Sequence, residues 1–375
     1  MIKAENFNIP EYKPRILIAP LDWGLGHATR CIPIISALHQ QKCVVIVAAT
    51  AQIKILLQKE FPDLQFIELK GYRMLYSRYK CWMPAKLIVQ LPKLIYRIYA
   101  ENRWLKQTAI ENNIDAVIAD NRLGLYHTKI PCVYITHQLI IKTGNHFTEK
   151  IIQKIHYHFI NKFNSCWVPD APGKINLAGD LSHPVVLPKT PVTYLGPLSR
   201  FNKTETTVKY DLCIILSGPE PQRSIFEKIL LNDLQNYQGK VFFLRGLPQQ
   251  TIPPDAGNPG LEIINHLPAS ALNKVLLQSE TIICRSGYTT LMDLIKLQKK
   301  AIVVPTPGQT EQEYLGRYLQ EQKLFYCVDQ KIFSLSEAIN NAAGFEFNVW
   351  PVYDDNYKSV IENFTAILKI NNADI

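Results

Sequence analysis

The sequence has no apolar stretch of about 20 residues, so nothing in it reads as a bilayer-spanning helix. Its opening, MIKAENFNIPEYKPR, lacks the apolar core of a secretory signal. Cys31, Cys43, Cys81, Cys132, Cys166, Cys213, Cys284 and Cys327 are scattered with no CxxC pair, as expected of small buried hydrophobes in a reducing compartment. No D-x-D occurs, which removes the usual carboxylate pair for a metal–diphosphate complex. His156 and His158 are two apart in a helical run, the wrong spacing for a shared metal on one helix face. The expectation is a cytoplasmic protein with no metal and no other cofactor.

Acids are scarce where bases crowd. Residues 70–106 hold nine Lys and Arg, and Glu101 is the only acid among them. Tyr72, Tyr76, Tyr79, Trp82, Tyr96, Tyr99 and Trp104 are interleaved with these bases. The net charge of +9 comes from residues 1–200, with 25 basic and 13 acidic side chains, against 16 and 19 in residues 201–375. Such a basic field attracts nucleic acid or an anionic membrane surface.

What is present is globular: 375 residues, 47% hydrophobic and 19% charged, long for one core and comfortable for two domains. Continuous apolar runs such as RILIAP, VVIVA and AVIAD predict parallel strands covered on both faces. Strands are expected near 15–20, 43–48, 65–69, 115–119, 132–136 and 166–168, and then near 211–218, 240–245, 261–265, 281–284, 301–304 and 325–328. Helical patterns alternate with them. The polar stretch SRFNKTETTVK has no periodicity. The domains are therefore set at 1–197 and 210–354, with a linker over 198–209 and a closing helix within 355–375. Each domain is read as a doubly wound α/β unit, and a ligand cleft is expected between their strand ends.

Several constellations fall at those strand ends. Gly24-Leu25-Gly26-His27 follows the first strand and opens a helix, a place where glycines allow close backbone approach and the helix end favours negative charge. Thr29 stands where a GxGxxG fingerprint needs its third glycine, and no acid ends CVVIVAAT, so a dehydrogenase reading fails. His27 can take a proton near neutral pH, and Asp120, ending DAVIAD at the same edge, can orient it. Asp22 and His137 are reserves.

In the second half, Arg285-Ser286-Gly287 closes a strand and opens a helix carrying Thr289, Thr290 and Asp293. That corner suits a phosphate, and Asp293 suits the hydroxyls of a ribose. Thr310 and Glu313 have capping-box spacing, while the amides of Gln309 and Gln312 suit sugar hydroxyls. Ser217-Gly218 is a further turn on the phosphate side.

With these motifs in place, the chain resembles the MurG-like GT-B glycosyltransferases, whose C-terminal domain is of the family 28 type. The likeness is strongest over 281–322, where RSGxxTxxD precedes Pro-x-x-x-Gln-x-x-Gln. It is moderate over 15–35, where GxGHxxR departs from the family's GHxxP at Arg30, and weak over 50–200. The resemblance implies two Rossmann-like domains and a UDP-sugar held mainly by the second. It also implies inverting transfer without a metal. On this basis Gly24, Gly26, Ser217, Gly218, Arg285, Ser286, Gly287, Thr289 and Thr290 would surround the donor. The backbone around His266 would face uracil, and Asp293 would hold the ribose where the family has a longer glutamate. Gln309, Gln312 and Glu313 would hold the sugar, and Glu313 stands where the family places glutamine. His27 would be the base and Asp120 its partner.

The basic aromatic segment, with Arg73, Arg78, Lys80 and Trp82, occupies the region where membrane-facing members of the fold meet lipid. The donor site favours that role over nucleic acid. The expected function is therefore transfer of GlcNAc or a similar sugar from a UDP-sugar to a lipid-linked or envelope glycan acceptor, at the inner face of the cytoplasmic membrane. A UDP-sugar 2-epimerase using Glu313, and a non-catalytic nucleotide-sugar or lipid-binding subunit, are the alternatives.

Overall fold

Short runs rich in branched aliphatic residues, buried on both faces in the central strands, build two parallel sheets. The computed structural model describes residues 12–72, 83–247, 250, 253, 257–349 and 355–373, with backbone alone for 83–91 and 371–373. Among the described residues the first sheet has seven strands: β1 (Arg15–Pro20), β2 (Val44–Ala49), β3 (Gln65–Glu68), β4 (Ala116–Asp120), β5 (Cys132–Ile135), β6 (Ser165–Val168) and β7 (Val192–Tyr194), in the order β3-β2-β1-β4-β5-β6-β7. The second has six: β8 (Tyr210–Ile215), β9 (Val241–Leu244), β10 (Leu261–Ile264), β11 (Ser279–Cys284), β12 (Ala301–Val303) and β13 (Tyr326–Cys327), in the order β10-β9-β8-β11-β12-β13. Two doubly wound α/β units are thus present, as the apolar runs predict. β7 escapes a reading by apolar runs because it is three half-buried residues beside Pro191.

Helices α1 (Leu25–Gln40), α2 (Ala51–Glu60), α3 (Met83–Glu111) and α4 (His146–Ile160) accompany the first sheet. Those of the second are α5 (Gln222–Leu234), α6 (Ala269–Leu277), α7 (Tyr288–Leu297), α8 (Thr310–Glu321) and α9 (Leu335–Ala343). The last helix, α10 (Asn356–Ala373), returns to pack on α1, and its Phe364 ring meets Trp167 edge-on at 5.4 Å. One apolar cluster joins both halves, with Ala28 and Cys31 of α1, Leu291 and Leu294 of α7 and Ile361 of α10. Burial of this kind contributes roughly 25 cal/mol per Å² of apolar surface, and here it spans the two lobes.

The order of strands reverses between β1 and β4, and again between β8 and β11. Ligands of open parallel sheets sit at such reversals, beyond the strand C-termini. The register pairs Pro20 with Asp120, so the loop opening α1 and the end of β4 are neighbours. Cys284 pairs with Ile215, which places the Arg285 corner beside the Ser217-Gly218 turn.

Candidate active site

On the first lobe, Gly24 turns the chain out of β1 at φ +89° and α1 starts one residue later. His27, in the first turn, has its Nδ1 3.2 Å from Asp120 Oδ2. Arg30, one turn on, is buried and grips the same carboxylate in a fork, with Nε 2.8 Å from Oδ2 and Nη2 on Oδ1. Burial pushes the Asp120 carboxyl up, but Arg30 and then His27 outweigh it and hold it well below the usual range. Burial pulls His27 down; Asp120 opposes this and Arg30 reinforces it. The imidazole is therefore neutral at pH 7, with 15% of the side chain still exposed. His137, at the end of β5, accepts from Arg30 Nη1 at 3.1 Å. Asp22 faces Arg122 at 3.7 Å instead, with Gly71 leaving it room, and does not join His27.

On the second lobe, Gly287 and Gln309 are the N-cap residues of α7 and α8, and like Gly24 of α1 neither makes a side-chain cap. By contrast, Asn145 caps α4 by accepting from Phe147 and Thr148 backbone N–H groups. Uncapped first-turn N–H groups are donors for an anion. The ends of α1 and α7 meet: Thr289 Oγ1 donates to Gly26 O at 3.2 Å, and a Cβ on Gly26 would lie 2.9 Å from that hydroxyl. The corner thus lies at the seam between the lobes.

Several of the expected donor residues also make contacts within their own lobe. Arg285 is buried and donates to the carbonyls of Val304, Pro305 and Gln222, over the Phe226 ring. Ser286 Oγ donates to Gln312 O at 2.9 Å. Gln312 Oε1 accepts from Thr306 N at 2.9 Å, while its Nε2 lies 4.0 Å from a Cβ built on Gly287, so the amide nitrogen is aimed at the start of α7. Glu313 Oε1 accepts from Gly308 N at 3.0 Å. Thr290, Gln309 and His266 are half-buried. Ser217 and Gly218 are exposed beyond β8, with Gly218 at φ +101°. Asp293 is buried and accepts from Ser199 Oγ at 2.6 Å; burial raises its pKa to about 6 against the pull of Arg200 and Ser199. Arg73, Arg78, Lys80 and Trp82 lie outside the described residues.

Four residues gain a place that motif reading does not give them. Arg30 shares a helix face with His27 at i+3, a spacing legible in the sequence. Glu311 reaches across to His137 Nε2 at 2.7 Å. Arg200 follows Ser199 in the linker, with its Nε buried and unpartnered. Thr306 Oγ1 is also buried and unpartnered, 3.4 Å from a Cβ on Gly218. The last three depend on contacts between distant segments, which no local pattern encodes.

Residues 235–345 match the glycosyltransferase family 28 C-terminal domain. No curated protein matches the chain. The fold is similar to that of CalG4, the calicheamicin glycosyltransferase, at 12% identity and TM-score 0.61, covering 95% of this chain and 94% of that one. It is also similar to the spinosyn rhamnosyltransferase SpnG complexed with thymidine diphosphate, at 14% identity and TM-score 0.57 over 95% and 96% of the two chains. MurG of Acinetobacter baumannii aligns at 14% identity and TM-score 0.51 over 96% and 95%. With a family 28 C-terminal domain set in a GT-B fold, the chain is a glycosyltransferase.

Proposed function

We propose that this protein is an inverting glycosyltransferase that moves a sugar, GlcNAc or similar, from a UDP-sugar to a lipid-linked or envelope glycan acceptor. The observation that carries the reading is the His27–Asp120 pair, 3.2 Å apart at the strand reversal and facing the start of α7. His27 Nε2 takes the proton of the acceptor hydroxyl as its oxygen bonds to the anomeric carbon. The bond from that carbon to the diphosphate breaks on the opposite side, and UDP leaves. Asp120 orients the imidazole and stabilises its charged form. The uncapped starts of α1 and α7 stabilise the departing diphosphate without need of a metal. Asp293 and the backbone at His266 hold the nucleoside; Gln309, Gln312 and Glu313 hold the sugar. Residues 1–197 take the acceptor, 210–354 the donor, 198–209 link them and 355–375 brace the first lobe.

A surface on the first lobe supports an acceptor at a membrane on the cytoplasmic side. Glu101, the one acid of the basic segment, is buried against Arg122 at 2.5 Å and Tyr72 at 2.5 Å. The face of α3 bearing exposed Lys93, Tyr96, Tyr99, Arg103 and Lys106 therefore carries no opposing charge from it. Nearby, α4 exposes Phe147 and Ile151 beside Lys150 and Lys154, and Tyr157 ties α4 to the exposed Val185-Val186-Leu187 turn. Exposed aromatic and aliphatic side chains among lysines suit anionic headgroups. Among the described residues no helix is long and apolar enough to cross a membrane.

The test is His27→Ala. Transfer is expected to fall roughly 10²–10⁴-fold while UDP still raises the melting temperature. If UDP binding is lost as well, His27 is a donor ligand and not the base. Incubating UDP-GlcNAc without acceptor and finding rapid epimer formation would replace transfer by epimerisation.

A further inference from the structure

Arg30 connects the His27–Asp120 pair to the opposite lobe. A guanidinium donates and never accepts. Arg30 Nη1, 3.1 Å from His137 Nδ1, therefore makes that nitrogen an acceptor and puts the His137 proton on Nε2. That proton goes to Glu311 Oε1 at 2.7 Å, on the first turn of α8. The Gln138 amide nitrogen is a distant competitor at 3.4 Å. The His137 ring is held parallel to Tyr288 of α7 at 4.0 Å, and Tyr288 is anchored to Pro169 O. A single run of hydrogen bonds, Asp120–Arg30–His137–Glu311, thus crosses the gap between the lobes.

The same guanidinium also competes for His27. Its Nη2 is 2.9 Å from His27 Nδ1, and Asp120 Oδ2 is 3.2 Å from that nitrogen. One ring nitrogen cannot accept from Arg30 and donate to Asp120 together. If Nδ1 accepts from Arg30, the ring proton sits on Nε2 and the base is blocked. If Nδ1–H donates to Asp120, the Nε2 lone pair is free. The groups around this ring are Arg30 of α1, Asp120 of β4 and Glu311 of α8, with His137, an acceptor at Nδ1, and Cys31 beside them. Two carboxylates and one guanidinium sum to −1, so one proton arriving at His27 neutralises the cluster.

We propose that Arg30 and Glu311 are positioning residues that select the base-competent tautomer of His27 when the lobes close, with Glu311 holding His137, His137 holding Nη1, and Nη2 thereby kept on Asp120. This rests on His27 being the base. It couples a donor-loaded, closed cleft to proton removal, because Glu311 directly precedes Gln312 and Glu313.

The experiment compares Glu311→Gln, Glu311→Ala and His27→Ala under acceptor-saturating conditions across pH. Glu311→Ala is expected to lower kcat roughly tenfold or more while the KM for the UDP-sugar changes far less. Glu311→Gln keeps an acceptor for His137 but removes the charge, so the limb of the pH–rate profile reporting the base should move to lower pH. Arg30→Lys should cost less in the Glu311→Ala background than in the wild type. ¹⁵N shifts of the His27 ring supply a measurement independent of the buried Arg30 variant: wild type with UDP should show Nδ1–H, and Glu311→Ala a shift toward Nε2–H. Full kcat in Glu311→Ala with His27→Ala inactive, or additive losses, overturns the relay and leaves the base standing. Transfer surviving in His27→Ala overturns the base itself.

Discussion

Arg30 and Arg285 are both buried guanidiniums near the start of a helix at the C-terminal edge of a sheet, at 2% and 1% exposure, yet they have opposite surroundings. Arg285 directs its two terminal nitrogens at three main-chain carbonyls from α5 and the loop after β12, with its Nε buried and unpartnered. Those partners cannot titrate or turn, so the charge serves to lock the corner that shapes the α7 start. Burial pulls it down only to about 10, and it stays charged at neutral pH. Arg30 spends its donors on Asp120, His27 and His137, all side chains able to change protonation or rotamer. A buried cation among carbonyls is framework, whereas one among titratable side chains adjusts chemistry.

The largest expected effect breaks the second set. Asp120→Asn removes the carboxylate that both Arg30 and His27 share, so kcat should fall about 10²–10⁴-fold while UDP continues to raise the melting temperature. An unchanged kcat would show that His27 needs no partner. Arg285→Met probes the first set. Leaving three carbonyls unpaired should cost about 2–4 kcal/mol of stability, visible as a lower urea midpoint, with kcat per folded molecule retained. If Arg285→Met instead loses UDP binding at unchanged stability, its guanidinium serves the donor and the contrast fails. Gly26→Ala tests the seam between the lobes. Its Cβ would press on Thr289 Oγ1, so closing should become harder by about 1 kcal/mol, read as a rise of roughly fivefold in donor KM.

The same contrast explains what the sequence makes legible. Among the described residues, apolar runs place twelve of the thirteen strands, most simply where parallel strands are buried on both faces and have little freedom in composition. His27 and Asp120 can be paired from the sequence because both end up at strand C-termini, and an open sheet gathers those at one edge. Arg285 has contacts that the motif does not encode. An arginine beside Ser-Gly at a phosphate-shaped corner has the right chemistry, but its direction depends on carbonyls supplied by the loop after β12 and by α5, away from it in sequence. Glu311 is hidden for the converse reason. In isolation T-E-Q-E reads as a helix start, and only the approach of the two lobes gives its carboxylate a histidine to hold.

Asp293 sharpens the comparison from the acidic side, because it is buried with a weaker offset than Asp120 enjoys. Its folded pKa of about 6 lies above the usual carboxylate value near 3.9. Between those values the folded state binds more protons than the unfolded one, so stability falls as pH rises from about 4 to about 6 and stays reduced above. The cost at pH 7.5 is on the order of 1–3 kcal/mol. Asp293→Asn should therefore melt higher than the wild type at pH 7.5, with the gain vanishing near pH 4. A gain equal at both pH values would assign it to packing and not to charge. The variant should also bind UDP less well, since an amide oxygen accepts ribose hydroxyls more weakly than a carboxylate. Stability gained together with affinity lost would mark Asp293 as a charge retained for its ligand, where Asp120 is one retained for its neighbours.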